Sequence, residues 1–105
     1  MSRDVKKEID DLVKQHRIVL FMKGSKMMPQ CGFSARAVQI LGSYGQPFET
    51  VNVLADPEVR QGVKDYSNWP TVPQCYVDGK FLGGSDILYE MHQSGELEPL
   101  IAPKN

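Results

Sequence analysis

The chain has 105 residues, of which 41% are hydrophobic and 24% charged, a length and composition that fit one globular domain over residues 1–105. Twelve Lys and Arg against thirteen Asp and Glu give a net charge of −1, so a broad basic surface for nucleic acid is not expected. No apolar run approaches the roughly 20 residues that span a bilayer. The start, MSRDVKKEID, lacks the apolar stretch of a signal peptide. We therefore expect a soluble cytoplasmic protein that binds neither nucleic acid nor membranes.

The first half of the chain predicts two helices and two strands. Apolar residues recur at three- or four-residue intervals over 5–16 and over 31–44, which indicates amphipathic helices. The nearly continuous apolar run 17–23 has the length of a central strand that is covered on both faces. Residues 24–30 are predicted to form a loop, and 47–54 alternate polar and apolar side chains well enough for a second strand.

The second half begins with a helix and continues into a hairpin. Asp56 stands directly before a proline, which is a strong start for a helix over 57–66. Two short strands, 74–77 and 80–82, follow this helix. The Asp-Gly dipeptide at 78–79 joins them and favours a two-residue hairpin turn.

The last predicted helix follows a Gly-Gly pair and completes the fold. Its N-cap is predicted to be Ser85 or Asp86. A strand–helix–strand unit places its strands in parallel with a right-handed crossover, whereas a two-residue hairpin can only be antiparallel. The order α, β, α, β, α, β, β, α therefore predicts an α/β fold, a four-stranded mixed sheet flanked by helices on both faces.

The most informative residue is Cys31, which is predicted to lie between the loop after the first strand and the start of the next helix. Free amide groups and the positive end of the helix dipole converge there, and such positions lower the pKa of a cysteine. Pro29 and Gly32 on either side of Cys31 are typical of a loop at a helix start, so they favour that position for Cys31 over one in the core. Because position 34 is Ser34, the C-x-x-C pair of a dithiol redox enzyme is missing, and any disulfide chemistry must recruit another thiol.

The second cysteine, Cys75, has two interpretations. It lies in a predicted strand beside Tyr76, where a small core residue is the simpler assignment and a resolving or regulatory thiol is the alternative. Neither cysteine forms the paired spacing of zinc ligands with His16 or His92, so no zinc site is expected. Two cysteines are also too few for a disulfide scaffold.

The sequence resembles the monothiol glutaredoxins over almost its whole length, from Val5 to Ile101. Motifs in matching order and spacing carry the resemblance: Phe21-Met22-Lys23-Gly24, Cys31-Gly32-Phe33-Ser34, Trp69-Pro70-Thr71-Val72-Pro73-Gln74, Val77-Asp78-Gly79 and Gly83-Gly84-Ser85-Asp86. The resemblance implies a thioredoxin-like fold with a cis bond before Pro73. It also implies a module that binds glutathione and holds a [2Fe–2S] cluster between the two chains of a homodimer. Such a module passes its cluster to apo iron–sulfur acceptor proteins.

The resemblance also implies roles for individual residues. These are Cys31 as the iron ligand, Lys23 and Arg60 as cations for the glycyl carboxylate of glutathione, Val72 as the backbone partner of the cysteinyl part, and Ser85 and Asp86 as binders of the γ-glutamyl end. Glutathione is an extended peptide with a carboxylate at each end and one ammonium, so its site needs groups of these kinds. Taken singly, Asp86 fits a helix cap, and Lys23 and Arg60 fit solvated surface charges.

Two functions fit a glutathione site around Cys31, and whether the chain is an enzyme stays open. A [2Fe–2S] cluster takes four thiolates, so two chains that use Cys31 alone need two glutathione thiolates, whereas two chains that also use Cys75 need none. In the alternative, a glutathione-dependent oxidoreductase, the Cys31 thiolate attacks a glutathionylated protein and a second glutathione resolves the mixed disulfide. The resemblance favours the carrier, and Ser34 does not decide, because monothiol reduction needs one cysteine. If exposed, Met27 and Met28 fit contact with a partner protein or a site of oxidation, and packing over the helix is the alternative.

Overall fold

The computed structural model describes residues 3–103 as a four-stranded sheet with helices on both faces. The helices are α1 (Val5–Gln15), α2 (Gly32–Gly42), α3 (Pro57–Ser67), α4 (Ser85–Ser94) and α5 (Glu98–Ile101). The strands are β1 (Ile18–Met22), β2 (Glu49–Asn52), β3 (Gln74–Val77) and β4 (Lys80–Gly83). A short 3₁₀ turn, Val53–Ala55, follows β2.

The sheet has the strand order β2-β1-β3-β4. β1 pairs in parallel with β2, where Phe21 lies opposite Val51, and it pairs antiparallel with β3. β3 and β4 form the predicted antiparallel hairpin, and both turn residues, Asp78 and Gly79, have positive φ. This conformation continues the twist of the flanking strands, which is why the Asp-Gly dipeptide favours it. The prediction of a mixed sheet is confirmed.

The side chains of β1 alternate between two core layers. Ile18, Leu20 and Met22 belong to the layer that includes α2 and α4. Val19 and Phe21 belong to the layer that includes α1 and α3. All five are buried, so the central strand is covered on both faces as predicted. Removal of these apolar side chains from water is the main contribution to the stability of such a fold.

The start of α4 differs from the prediction, whereas the start of α3 agrees with it. Asp56 caps α3 by accepting hydrogen bonds from two amides of its first turn. The prediction that Ser85 or Asp86 caps α4 is wrong, because the N-cap is Gly84, which has no side chain to accept a bond. A Cβ at this position would stand 3.1 Å from the carbonyl oxygen of Pro73. Glycine therefore allows a close approach of the loop before β3 and leaves the first amides of α4 uncapped by a side chain.

The chain departs from the predicted elements in two further places. The second strand is shorter than the predicted 47–54, because Asn52 ends it and its Oδ1 accepts a hydrogen bond from the N–H of Leu54 at 3.0 Å. The helix α5 was not predicted, since four residues are too few to show a helical period.

The Val72–Pro73 bond is cis, as the resemblance implied. Within residues 3–103, every helix is too short or too polar to cross a bilayer.

Candidate functional site

Cys31 lies at the start of a helix, as predicted, where it is the N-cap of α2 and is half-buried. The pKa of its thiol lies below the ordinary value, and the backbone amide of Ser34 is the largest cause. The amide of Phe33, the hydroxyl of Ser34 and the charge of Lys23 also lower this pKa, whereas desolvation raises it. The thiolate, which is the form that attacks disulfides and binds metals, therefore forms more easily here than at an ordinary cysteine.

The loop between β1 and α2 is shaped by its own hydrogen bonds. The N–H of Gly24 donates to Oδ1 of Asn52 at 2.9 Å, and the N–H of Gln30 donates to the carbonyl of Lys23 at 2.8 Å. Gly24 has a φ of +91°, and a Cβ there would stand 2.6 Å from the nitrogen of Gln30, so glycine is required. The loop thus leaves β1 at Lys23 and returns to it just before Cys31.

Two methionines occupy the exposed part of this loop. Met27 is 90% exposed and Met28 is 68% exposed. A turn closed by Ser25 holds them there, since the N–H of Ser25 donates to the carbonyl of Met28 at 3.2 Å. The interpretation that they pack over the helix is wrong, because side chains this exposed cover no core. They stand in solvent a few residues before Cys31.

One cavity of about 500 Å³ brings together every residue to which the resemblance assigns a role. It is lined by the predicted Lys23, Cys31, Arg60, Val72, Ser85 and Asp86, and also by Phe33, Lys64, Trp69, Pro70, Thr71, Pro73, Gly84 and Ile87. Its volume falls within the range of small-molecule sites, roughly 300–1,000 Å³. The end of β1, the start of α2, one face of α3, the loop before β3 and the start of α4 meet here.

Positive charge dominates the lining of the cavity. Lys23 follows β1, while Arg60 and Lys64 lie one turn apart on α3 and therefore share a face of that helix. Asp86 is the acidic residue of the lining. Lys64 was not predicted from the sequence, although its spacing of four residues from Arg60 was the signal that could have found it. These cations favour an anionic ligand.

The loop before β3 forms one wall and is held from inside by Gln74. This fully buried side chain donates from Nε2 to the carbonyls of Trp69 at 3.2 Å and Thr71 at 3.0 Å. Its Oε1 accepts a hydrogen bond from the hydroxyl of Tyr76 at 3.0 Å. Sequence analysis placed Gln74 in a motif but gave it no role. A buried amide needs partners for both of its ends, and here those partners shape the loop that contains Val72.

The start of α4 offers unused hydrogen-bonding groups to the cavity. The hydroxyl of Ser85 is buried and has no hydrogen-bond partner among residues 3–103. Since buried polar groups are almost always paired, this hydroxyl and the uncapped helix start suit an anionic or polar ligand. The carboxylate of Asp86 is exposed and stands 3.7 Å from Nη1 of Arg36 on α2. Sequence spacing gave no signal for Arg36, because it reaches Asp86 only through the packing of two helices.

Cys75 is a core residue, as the simpler interpretation held. It is fully buried in the layer that includes α2 and α4. Desolvation raises the pKa of its thiol to about 12. A buried thiol that stays protonated is a poor nucleophile and a poor metal ligand.

Comparison with known proteins identifies the family. The family model described as glutaredoxin matches residues 18–82. A ycf64-like monothiol glutaredoxin of Synechocystis sp. is 57% identical over 96% of this chain and 94% of its own length. This chain belongs to the monothiol glutaredoxins. This chain is also 45% identical to mitochondrial monothiol glutaredoxin-5 of Schizosaccharomyces pombe, over 100% of this chain and 74% of that protein. The solution structure of reduced poplar apo GrxS14 is 55% identical, with a TM-score of 0.79 over 90% of this chain and 86% of that one.

The expectation of a cytoplasmic location is wrong. Several relatives of this glutaredoxin are named as chloroplastic or mitochondrial proteins. The expectation rested on the lack of an apolar stretch at the start of the chain, which bears only on secretory signals. Transit peptides for mitochondria and chloroplasts are amphipathic and rich in Arg and Ser, so that criterion does not address them.

Proposed function

We propose that this monothiol glutaredoxin binds glutathione in the cavity around Cys31 and carries a [2Fe–2S] cluster between two copies of the chain. The placement of Cys31 carries the proposal. A half-buried thiol of lowered pKa shares one cavity with a group of cations and with the uncapped start of α4. A tripeptide with a central thiol and a carboxylate at each end matches this arrangement.

The glycyl half of glutathione fits the cationic part of the cavity. Lys23 and Arg60 supply charge for the glycyl carboxylate, and Lys64 adds a further cation on the same face of α3 as Arg60. The backbone of Val72 lies in the cavity wall that Gln74 braces, where an extended peptide can pair with it as an added strand would. Glutathione held in this way presents its thiol beside Cys31.

The γ-glutamyl half fits the start of α4. Its carboxylate suits the first amides of the helix and the hydroxyl of Ser85, which has no partner among the described residues. Its ammonium suits the carboxylate of Asp86. The unpartnered hydroxyl supports this placement, because ligand binding would satisfy a group that the fold leaves unsatisfied.

The number of thiolates favours glutathione as a ligand of the cluster. A [2Fe–2S] cluster takes four thiolates, and the chain has two cysteines. The full burial of Cys75 and its raised pKa argue against it as a ligand. Two chains therefore supply two Cys31 thiolates, and two glutathione molecules supply the others.

A cluster held in this way is suited to transfer. Half of its ligands are small molecules that can diffuse away, so an acceptor thiolate can replace them without unfolding either chain. The homodimer exists through the cluster that it shares and separates when the cluster leaves. Apo iron–sulfur proteins are the acceptors that this chemistry implies.

The lowered pKa of Cys31 favours a second candidate function, a glutathione-dependent oxidoreductase. The Cys31 thiolate attacks the glutathione sulfur of a protein mixed disulfide, which forms Cys31–S–SG and releases the protein thiolate. The thiolate of a second glutathione then attacks Cys31–S–SG, which yields glutathione disulfide and restores the Cys31 thiolate. Ser34 leaves no local thiol to compete with this second attack.

Native mass spectrometry of the anaerobically reconstituted protein tests the carrier proposal. We expect one species with the mass of two chains, one [2Fe–2S] cluster and two glutathione molecules. Cys31→Ser abolishes that species, whereas Cys75→Ala retains it. A cluster-loaded dimer without glutathione contradicts the proposal. Absence of any loaded species, together with rapid reduction of a glutathione mixed disulfide, favours the oxidoreductase instead.

A further inference from the structure

Arg36 forms a clasp around Asp86 at the edge of the cavity. Its Nη1 lies 3.7 Å from Oδ1 of Asp86, and its guanidinium carbon lies 3.9 Å from the ring centroid of Tyr89. Asp86 and Tyr89 are three residues apart on α4 and therefore lie on one face of that helix. Arg36 comes from α2, so the clasp joins the helix that begins after Cys31 to the helix that begins at Ser85.

The aromatic ring fixes the guanidinium more than an ion pair alone would. The side chain of Asp86 is 80% exposed, whereas that of Arg36 is 37% exposed. An isolated carboxylate as exposed as this one samples several rotamers, and ordering it on binding costs conformational entropy. A guanidinium stacked on a ring is a preorganised partner, and its planar shape suits a carboxylate. The stacked Arg36 therefore limits the positions that Asp86 takes.

A carboxylate has two oxygens and can serve two cations at once. Oδ1 of Asp86 lies 3.7 Å from Nη1 of Arg36, and Asp86 lines the cavity, so its other oxygen can serve a second cation there. The first amides of α4 lie beside it and attract an anion. The ligand group that matches this pair of charges is an α-amino acid end, with its ammonium and carboxylate on one carbon.

We propose that Arg36 is a positioning residue that aims Asp86 at the α-ammonium of the γ-glutamyl end and so makes the site selective for a zwitterionic ligand. The inference rests on the proposed binding of glutathione and adds a residue that selects this end of it. Arg36 acts through Asp86 and does not itself touch the ligand. Its effect therefore depends on the presence of the ammonium.

Binding of three tripeptides by isothermal titration calorimetry tests the clasp. The ligands are reduced glutathione, glutaryl-Cys-Gly, which lacks the ammonium, and 4-aminobutyryl-Cys-Gly, which lacks the α-carboxylate. We expect Arg36→Gln to raise the Kd of glutathione about two- to fivefold, the range of an exposed ion pair. The same variant raises the Kd of the 4-aminobutyryl ligand by a similar factor and leaves the Kd of the glutaryl ligand unchanged.

Further variants separate positioning from a general structural effect. Arg36→Lys keeps the charge but not the planar stack, so it recovers part of the affinity. Arg17→Gln is a control outside the cavity, because Arg17, just before β1, also lies 3.7 Å from a carboxylate, that of Asp78. We expect it to leave all three Kd values unchanged. Circular dichroism and Tm show whether each variant is folded.

Each other outcome overturns the clasp. An unchanged Kd for glutathione in Arg36→Gln, or an equal rise for the glutaryl ligand, shows that Arg36 does not act through the ammonium. A rise that disappears only with the 4-aminobutyryl ligand makes Arg36 a direct partner of the α-carboxylate. If the parent protein binds no glutathione, the proposed function and the clasp are both overturned. If the parent and Arg36→Gln bind glutathione with equal Kd values, only the clasp is overturned.

Discussion

The hydroxyl of Ser34 accepts a hydrogen bond from the backbone N–H of Lys23 at 3.0 Å. This bond joins the first turn of α2 to the end of β1. Ser34 is fully buried, and its amide and hydroxyl also lower the pKa of Cys31. The residue that stands in place of a second cysteine thus helps to place Lys23 and the Cys31 thiol in one cavity.

Ser34→Ala is expected to lower the stability of the fold and to raise the pKa of Cys31. The N–H of Lys23 loses its partner at a part-buried position, which costs about 0.5–1.5 kcal/mol of unfolding free energy. The pKa of Cys31 rises slightly, because the hydroxyl is lost while the backbone amide of Ser34, the larger cause, stays. Urea denaturation measures the first effect, and the rate of iodoacetamide alkylation against pH measures the second. An unchanged or lowered pKa would contradict this account of Ser34.

The buried thiol of Cys75 predicts a loss of stability at alkaline pH. Its pKa is raised to about 12 in the folded chain, while the unfolded chain loses this proton near the ordinary value of roughly 8.5. Between these values the unfolded chain binds fewer protons, so the free energy of unfolding falls as pH rises. Cys75→Ala should therefore show a shallower fall in urea denaturation between about pH 8.5 and 10.5.

The comparison isolates Cys75 because other titrating groups are shared. The phenols of Tyr66 and Tyr76 also have pKa values raised to about 12, and both remain in the variant. Their contribution cancels in the difference between the two chains. If the free energy of unfolding falls equally steeply with pH in the parent and the variant, the Cys75 thiol does not stay protonated in the folded chain.

Gln74→Leu tests the brace behind the cavity wall. Leucine has a side-chain volume similar to that of glutamine but no polar group. The substitution therefore leaves two loop carbonyls and the hydroxyl of Tyr76 without their partner. We expect a loss of about 1–3 kcal/mol in unfolding free energy and a weaker Kd for glutathione, because the loop that carries Val72 is less ordered. Tyr76→Phe removes only the hydroxyl and is the control. If Gln74→Leu leaves the Kd unchanged, the brace is not needed for binding.

Lys64→Gln tests the cation that spacing alone could have revealed. We expect a Kd for glutathione raised about two- to fivefold at low ionic strength, with a smaller effect at high salt, because charges at an open cavity are screened. Lys80→Gln is the matched control, since Lys80 is exposed on β4 and lies outside the cavity lining. Calorimetry at two salt concentrations measures both variants. An equal effect of the two substitutions would reduce Lys64 to part of the general charge of the protein.

The elements of the fold were predictable because their signals are local. The apolar run of β1, the start at Asp56 and the hairpin dipeptide at 78–79 each determine a short segment, and the crossover rule then orders the strands. The cap of α4 was not predictable in this way. Ser85 and Asp86 are good capping residues, but the close approach of the Pro73 carbonyl favours Gly84 at that position.

The site was predictable only in part, for a related reason. Residues within motifs, such as Cys31 and Val72, could be assigned by resemblance to a family. The bonds of Gln74 and the contact of Arg36 with Asp86 depend on which elements pack together. Such contacts join residues that are distant in sequence, and no periodicity or spacing encodes them. The hydroxyl of Ser85, which has no partner among residues 3–103, is likewise evident only once the elements are packed together.

Anaerobic reconstitution with iron and sulfide, with and without glutathione, tests the central claim most directly. Visible absorption and size-exclusion chromatography are recorded on the same samples. We predict a coloured species of dimer size that forms only when glutathione is present, because two of the four thiolates must come from it. Colour in the absence of glutathione, or a colourless monomer under both conditions, would contradict the account of a cluster shared through Cys31 and glutathione.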